Sequence, residues 1–183
     1  SCLPDGITFT TQSQVDSFQI LYPDCTEIEG NVLIMGSNIS DISSLSVLTS
    51  IEGDLYIEGN DSLTNLTGLE NLASIGGGLS IAYNYNLNSL SVLEGLTSVG
   101  GGLTIAGSSS LTSLSGLEGI SSLGSSLVIH GNTTLTSLSG LDSLTSIDGT
   151  LTLFFNNALV SLNGLESLTS IGGDLKVESN QAL

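Results

Sequence analysis

Arginine and tryptophan are absent, and lysine occurs once, at Lys176. Eighteen acids stand against that single base, for a formal net charge of −17. Holding a phosphate backbone takes several Lys or Arg side chains, so nucleic acid is excluded as a partner. An anionic membrane surface would repel the chain for the same reason. No apolar run is long enough to span a bilayer, so membrane insertion is not expected. The simplest role for the acids is solubility.

Histidine also occurs once, at His130, and cysteine twice, at Cys2 and Cys25. These counts exclude a metal centre built from His and Cys. One His among many serines is a poor basis for a nucleophile–base pair. The acids show no pairing within one turn of the kind glycoside hydrolysis requires. The chain therefore reads as non-enzymatic and without a cofactor, calcium being the one candidate ion. Aromatic residues make up 4% of the chain, so any core is aliphatic.

What the chain has is a repeat. Blocks beginning at Ile51, Ile75, Val99, Leu123, Ile147 and Ile171 follow one another every 24 residues, and a shorter block begins at Ile28. Each approximates I-x-G-x-L-x-I-x-x-N-x-x-L-x-x-L-x-G-L-x-x-L-x-S. A fixed period in this range is the signature of a solenoid, whose turns bury their apolar sides only against one another. Leu-x-Ile segments such as Leu79-Ser80-Ile81 alternate in and out as short strands do. Leucines every third residue follow, as at Leu63, Leu66, Leu69 and Leu72, a spacing expected for short extended pieces joined by corners. Glycine runs such as Gly76-Gly77-Gly78 permit tight bends or a bulge.

The expected fold is mainly β: a right-handed β-solenoid of about six to seven 24-residue coils with an N-terminal helical cap. Residues 1–25 form the cap and residues 26–183 one continuous stack. Thr11 is placed to start the cap helix, with Val15, Phe18 and Leu21 on one face and Pro23 ending it. Cys2 and Cys25 bracket the cap, which suggests a disulfide and an oxidising compartment; two free buried thiols are the alternative. No signal peptide is visible, as in a mature or excised segment. Leu183 falls partway through a coil, so either the chain continues or another chain covers the open end.

Several columns recur once per coil. Asn60, Asn84, Asn132, Asn156 and Asn180, interrupted by Ser108, are expected to satisfy backbone groups at a corner. Sequons at Asn60 and Asn132 fall in this column and read as chance matches; two more lie at Asn38 and Asn65. Ser50, Ser74, Ser98, Ser122, Ser146 and Ser170 are expected to hydrogen-bond inside or at a corner. Glu70, Glu94, Glu118, Asp142 and Glu166 form an acidic column. At a strand spacing of about 4.8 Å its neighbours repel by roughly 0.8 kcal/mol in water, so backbone N–H groups or calcium ions must offset them.

The capped arrangement resembles a known family. Leu79-Ser80-Ile81-Ala82-Tyr83-Asn84 is similar to the L-x-L-x-x-N core of leucine-rich repeats, though Gly76 sits where a leucine is usual. The closer resemblance is to receptor L domains, in which a cysteine, a capping helix and a second cysteine lead into an I-x-G-x-L-x-I strand. Here that order is Cys2, the helix near residues 11–22, Cys25, then Ile28-Glu29-Gly30-Asn31-Val32-Leu33-Ile34. The resemblance implies an extracellular or cell-surface location and a binding or adhesion role within a larger surface protein. It carries over no ligand residue.

The candidate binding face for an extracellular protein or glycan is the exposed side of the strands: Tyr56, Tyr83, Thr104, His130, Thr152, Phe154 and Phe155. Of the adjacent Phe154 and Phe155, at least one should face solvent. A different function is ice binding through a small, uncharged column of Thr49, Ala73, Thr97, Ser121, Thr145 and Thr169. A passive stalk is the third reading.

Overall fold

The computed structural model describes residues 1–183. Seven coils stack in register, starting at Ile28, Ile51, Ile75, Val99, Leu123, Ile147 and Ile171. Each contributes one short and one long strand, so two parallel sheets run the length of the stack. The long sheet has eight strands: Ile7–Phe9, Val32–Ile34, Leu55–Glu58, Leu79–Ala82, Leu103–Ala106, Leu127–His130, Leu151–Phe154 and Leu175–Glu178. The short sheet has seven two-residue strands, from Glu27–Ile28 to Ser170–Ile171.

The alternation in each long strand decides its orientation. Leu55, Ile57, Leu79, Ile81, Leu103 and Ile105 are buried, while Tyr56, Ser80 and Thr104 between them are half-buried on the outer face. Register pairing stacks Ile34, Ile57, Ile81, Ile105, Ile129 and Leu153 into one inward column. These join the other leucines in a single core cluster of 43 buried residues.

The third side of each coil joins turns to short extended pieces. In the turns an N–H donates to the carbonyl three residues back: Leu63 to Asn60, Leu69 to Leu66, Leu72 to Leu69. Between the turns the chain bonds to the neighbouring coil, as Leu114 does to Ser139 and Leu138 to Asn163, and the leucines every third residue all face inward. At Gly68, Gly116, Gly140 and Gly164 the chain adopts φ between 107° and 114°. A Cβ at Gly68 would fall on the Ile42 carbonyl oxygen of the coil before. Where the repeat has Ser44 or Val92 at that position, the run tightens into 3₁₀ helices at Ser43–Leu45 and Ser91–Gly95.

The cap starts as expected at Thr11, which forms a capping box with Gln14. It then breaks at Ser17 into two helices, Gln12–Asp16 and Phe18–Leu21. Val15 and Phe18 are buried, but Leu21 is 65% exposed, contrary to the single-face expectation. The break re-aims the second helix, and Tyr22 packs against Phe18 instead, ring centroids 5.7 Å apart. The cap also supplies Ile7–Phe9, the first strand of the long sheet, which the sequence pattern did not reveal. Cys2 and Cys25 form a disulfide, Cα atoms 5.6 Å apart, and Cys2 bridges to Ile28.

The asparagine column is buried. Asn60, Asn84, Asn132 and Asn156 are fully enclosed, each Nδ2 donating to a carbonyl of the preceding coil. Asn60 and Asn132 use their second Nδ2 hydrogen on the next asparagine's Oδ1, as Asn156 does on Asn180. The serine column behaves otherwise than expected. It lies on the outer side of the short sheet, and none of its six hydroxyls bonds to protein.

Candidate binding face

Two outward positions per long strand give the long sheet two columns. One runs Leu33, Tyr56, Ser80, Thr104, Val128, Thr152, Lys176. The other runs Glu58, Ala82, Ala106, His130, Phe154, Glu178, with Met35 just before it. From coil 3 to coil 6 neither column holds an acid, on a chain that carries eighteen. Glu58 on one side and Glu178 on the other frame the acid-free stretch.

The frame is polar and tied down. Tyr56 donates its hydroxyl to Asp54 Oδ2 at 2.9 Å, and Ser80 donates to Glu58 Oε1 at 2.6 Å. The hydrogen bond to Asp54 raises the Tyr56 pKa, helped by burial and by the charges of Asp54 and Glu58. At the far end Lys176 pairs with Asp174 at 3.3 Å, both exposed.

The aromatic groups cluster at coils 5 and 6. His130 and Phe154 stack at 3.9 Å between centroids, and Phe155 tilts against Phe154 at 5.3 Å. Phe155 is 50% exposed and Phe154 half-buried, so one of the pair faces solvent as expected. Tyr83 is 47% exposed.

Tyr83 and Phe155 share an unusual backbone. The position just after each long strand is Gly59, Tyr83, Gly107, Gly131, Phe155 or Ser179, and all six adopt φ between 55° and 67°. Glycine enters this left-handed region freely, whereas an L-residue with a Cβ is disfavoured there by about 1–2 kcal/mol. The repeat therefore holds two bulky aromatic side chains, both about half in solvent, where glycine would be easier. Periodicity places these residues beside the sheet, but it carries no mark of their backbone strain.

The other candidate residues lie elsewhere. Glu70, Glu118, Asp142 and Glu166 each accept the N–H of the glycine two residues back, at 2.6–2.8 Å. Glu94 does not, because Val92 replaces that glycine and Glu94 sits in a 3₁₀ helix. No group of three or more His, Cys, Asp or Glu side chains is arranged to hold a metal ion. Thr49, Ala73, Thr97, Ser121, Thr145 and Thr169 line the border of the short sheet, all exposed. The hydroxyls of Thr49, Thr97, Thr145 and Thr169 donate to carbonyls of Thr26, Ala73, Ser121 and Thr145 on the preceding coil.

Neither a search of curated proteins nor one of solved structures gives a match. The receptor L domain family matches residues 24–90, a little over a third of the chain, from Asp24 through the second coil and into the third. The chain is thus a β-solenoid of about seven parallel coils that is similar to receptor L domains over those residues.

Proposed function

We propose that this protein is a non-enzymatic extracellular module that binds a protein partner through the long-sheet face of coils 3–6. The observation that carries the reading is the acid-free stretch of that face, bordered by exposed aromatics, on a molecule of net charge −17. Depletion of charge with enrichment of Tyr and Phe is what marks the centre of a protein interface. The strain at Tyr83 and Phe155 supports it, since unfavourable backbone conformations persist where a side chain has a use. The match to receptor L domains supports a ligand-binding role, and the Cys2–Cys25 disulfide fits an oxidising compartment.

The acids at the frame define the partner. Asp54, Glu58 and Glu178 border an acid-free centre, while Asp174 is paired with Lys176, so the complementary surface is apolar in the middle and basic where it meets those unpaired acids. Adhesion within a larger surface protein is the cellular role this recognition would serve.

The test is a screen against extracellular proteins, with and without calcium, followed by Phe155→Ala and Tyr83→Ala. A partner whose affinity falls at least tenfold with either change, while Thr97→Lys leaves it intact, supports the reading. Ice-crystal shaping abolished by Thr97→Lys and indifferent to Phe155→Ala would replace it with the ice-binding alternative. No partner and no ice shaping would leave the passive stalk.

A further inference from the structure

Coil 4, residues 99–122, is bonded to its neighbours unlike the coils around it. On the short-sheet side, Ala73, Gly76 and Gly77 donate their N–H groups to the Thr49, Ile51 and Gly53 carbonyls. The same three bonds recur from Thr97, Gly100 and Gly101, from Thr145, Asp148 and Gly149, and from Thr169, Gly172 and Gly173. Between coils 4 and 5 they would run from Ser121, Gly124 and Ser125 to Thr97, Val99 and Gly101, and none of the three forms. Strand pairing there shrinks to the single pair Leu123↔Val99, where the junctions on either side have two. A polar cavity of about 390 Å³ lies at this place, lined by Thr97, Ser98, Ser121, Ser122 and Asp148 among others.

A second break lies between coils 3 and 4, in the asparagine column. Asn84 donates Nδ2 to the Ile57 carbonyl at 2.7 Å, and its Oδ1 receives the Asn60 N–H at 3.0 Å. Ser108 is too short to do the same one coil on. Its hydroxyl is buried without a partner, and the Asn84 N–H receives no acceptor. The long sheet is continuous through both junctions, with four register pairs on each side of Leu103–Ala106.

We propose that coil 4 is a hinge about which the stack flexes, pivoting on the continuous long sheet and opening the short-sheet side between coils 4 and 5. In a solenoid each coil touches only its neighbours, so stability is a sum of nearest-neighbour terms and a weakened junction divides the stack. The capped coils 1–3 and the coils 5–7 then open as separate units. Tyr83 lies before the hinge and Phe155 after it, so a partner touching both would bridge it.

Native-state hydrogen exchange of the 183-residue chain in rising denaturant, read by mass spectrometry, tests this. The expected result is a step at coil 4: long-strand amides of coils 5–7 lose protection together and exchange at least tenfold faster than those of coils 1–3. Ser108→Asn, which restores the column between coils 3 and 4 and leaves the short-sheet junction between coils 4 and 5 as it is, should strengthen coil 4's hold on coils 1–3 and leave a step between coils 4 and 5. Uniform protection, a smooth decline toward Leu183 without a step, or a step abolished by Ser108→Asn would each overturn the proposal. Should Ser108→Asn fail to fold, the profile of the unaltered chain still decides it.

Discussion

The ring of Tyr83 lies across Gly107, one coil further on: a Cβ at Gly107 would stand 2.6 Å from Tyr83 Cδ1. Ala82 and Ala106 face outward yet are 4% and 5% exposed, which places them within the same close-packed patch. Gly107→Ala should therefore cost about 2 kcal/mol, roughly 1 from the left-handed backbone and the rest from displacing the ring. In a Tyr83→Gly background only the backbone part should remain. Urea unfolding of the two single variants and the double variant checks this; a full loss in the double variant would show that the ring is not the obstacle.

Phe155→Gly removes an L-residue from φ 55° and a ring that is half in solvent. The two effects oppose each other and are each about 1 kcal/mol, so stability should stay within 1 kcal/mol of the parent or rise. Partner affinity should fall. A thermal melt alongside the binding assay separates the two; a large drop in melting temperature would mean that Phe155 serves packing.

Gly116 has φ 114° and faces the Leu90 carbonyl so closely that no Cβ fits. Gly116→Val should cost about 3 kcal/mol or more, because the position combines a glycine-only backbone with a backbone clash. The neighbouring coil carries Val92 at the equivalent place without penalty, since a 3₁₀ helix forms there. Denaturant unfolding that showed less than 1 kcal/mol lost would mean the run of turns converts freely to the helical form.

Glu118 accepts the Gly116 N–H at 2.7 Å, and Glu70, Asp142 and Glu166 repeat the contact in their own coils. Glu118→Ala should cost about 1 kcal/mol, the value of a cap-like bond to a carboxylate. A chelator should leave the melting temperature unchanged. A drop on chelation, recovered with calcium, would instead assign the column to the ion.

Tyr56 should titrate above the ordinary tyrosine value, because its proton is held by Asp54 and its anion would face Asp54 and Glu58. A folded pKa raised above the unfolded value stabilises the native state below the unfolded pKa and is lost as pH rises through the folded one. Tyrosinate absorbance measured above pH 10 should show a late-titrating group in the parent that moves to lower pH in Asp54→Asn, burial and Glu58 keeping part of the shift. A titration curve unchanged by Asp54→Asn would contradict the contact.

Period and alternation announce most of this fold. Leu-x-Ile marks the long strands, and the asparagine column marks the corner, because both depend on side chains that must repeat where neighbours stack. The three-residue leucine spacing was visible too, but not which leucine N–H closes a turn, as at Leu69, and which bonds the next coil, as at Leu114. Leu21 followed the spacing of Val15 and Phe18 and still ended in solvent, since nothing local announces the break at Ser17. The strand at Ile7–Phe9 is short and outside the repeat, so no pattern points to it. For the candidate face, Phe154, Phe155 and Tyr83 were legible as aromatics beside a sheet. The absence of acids from coils 3–6 and the left-handed backbone of Tyr83 and Phe155 emerge only when the columns are assembled in space.

The asparagine column has a consequence for how such a chain can change in length. Each enclosed Asn serves a carbonyl of the coil before it and, through Oδ1, an N–H of that same coil, so one 24-residue unit presents the same acceptors that it covers. Inserting or deleting a whole unit leaves no donor stranded, whereas removing a few residues strands several. The fold is thus modular in quanta of one coil, each adding about 4.8 Å of height and two more outward positions to the sheet. Reach and recognition area rise together, in fixed increments, without any redesign of the core.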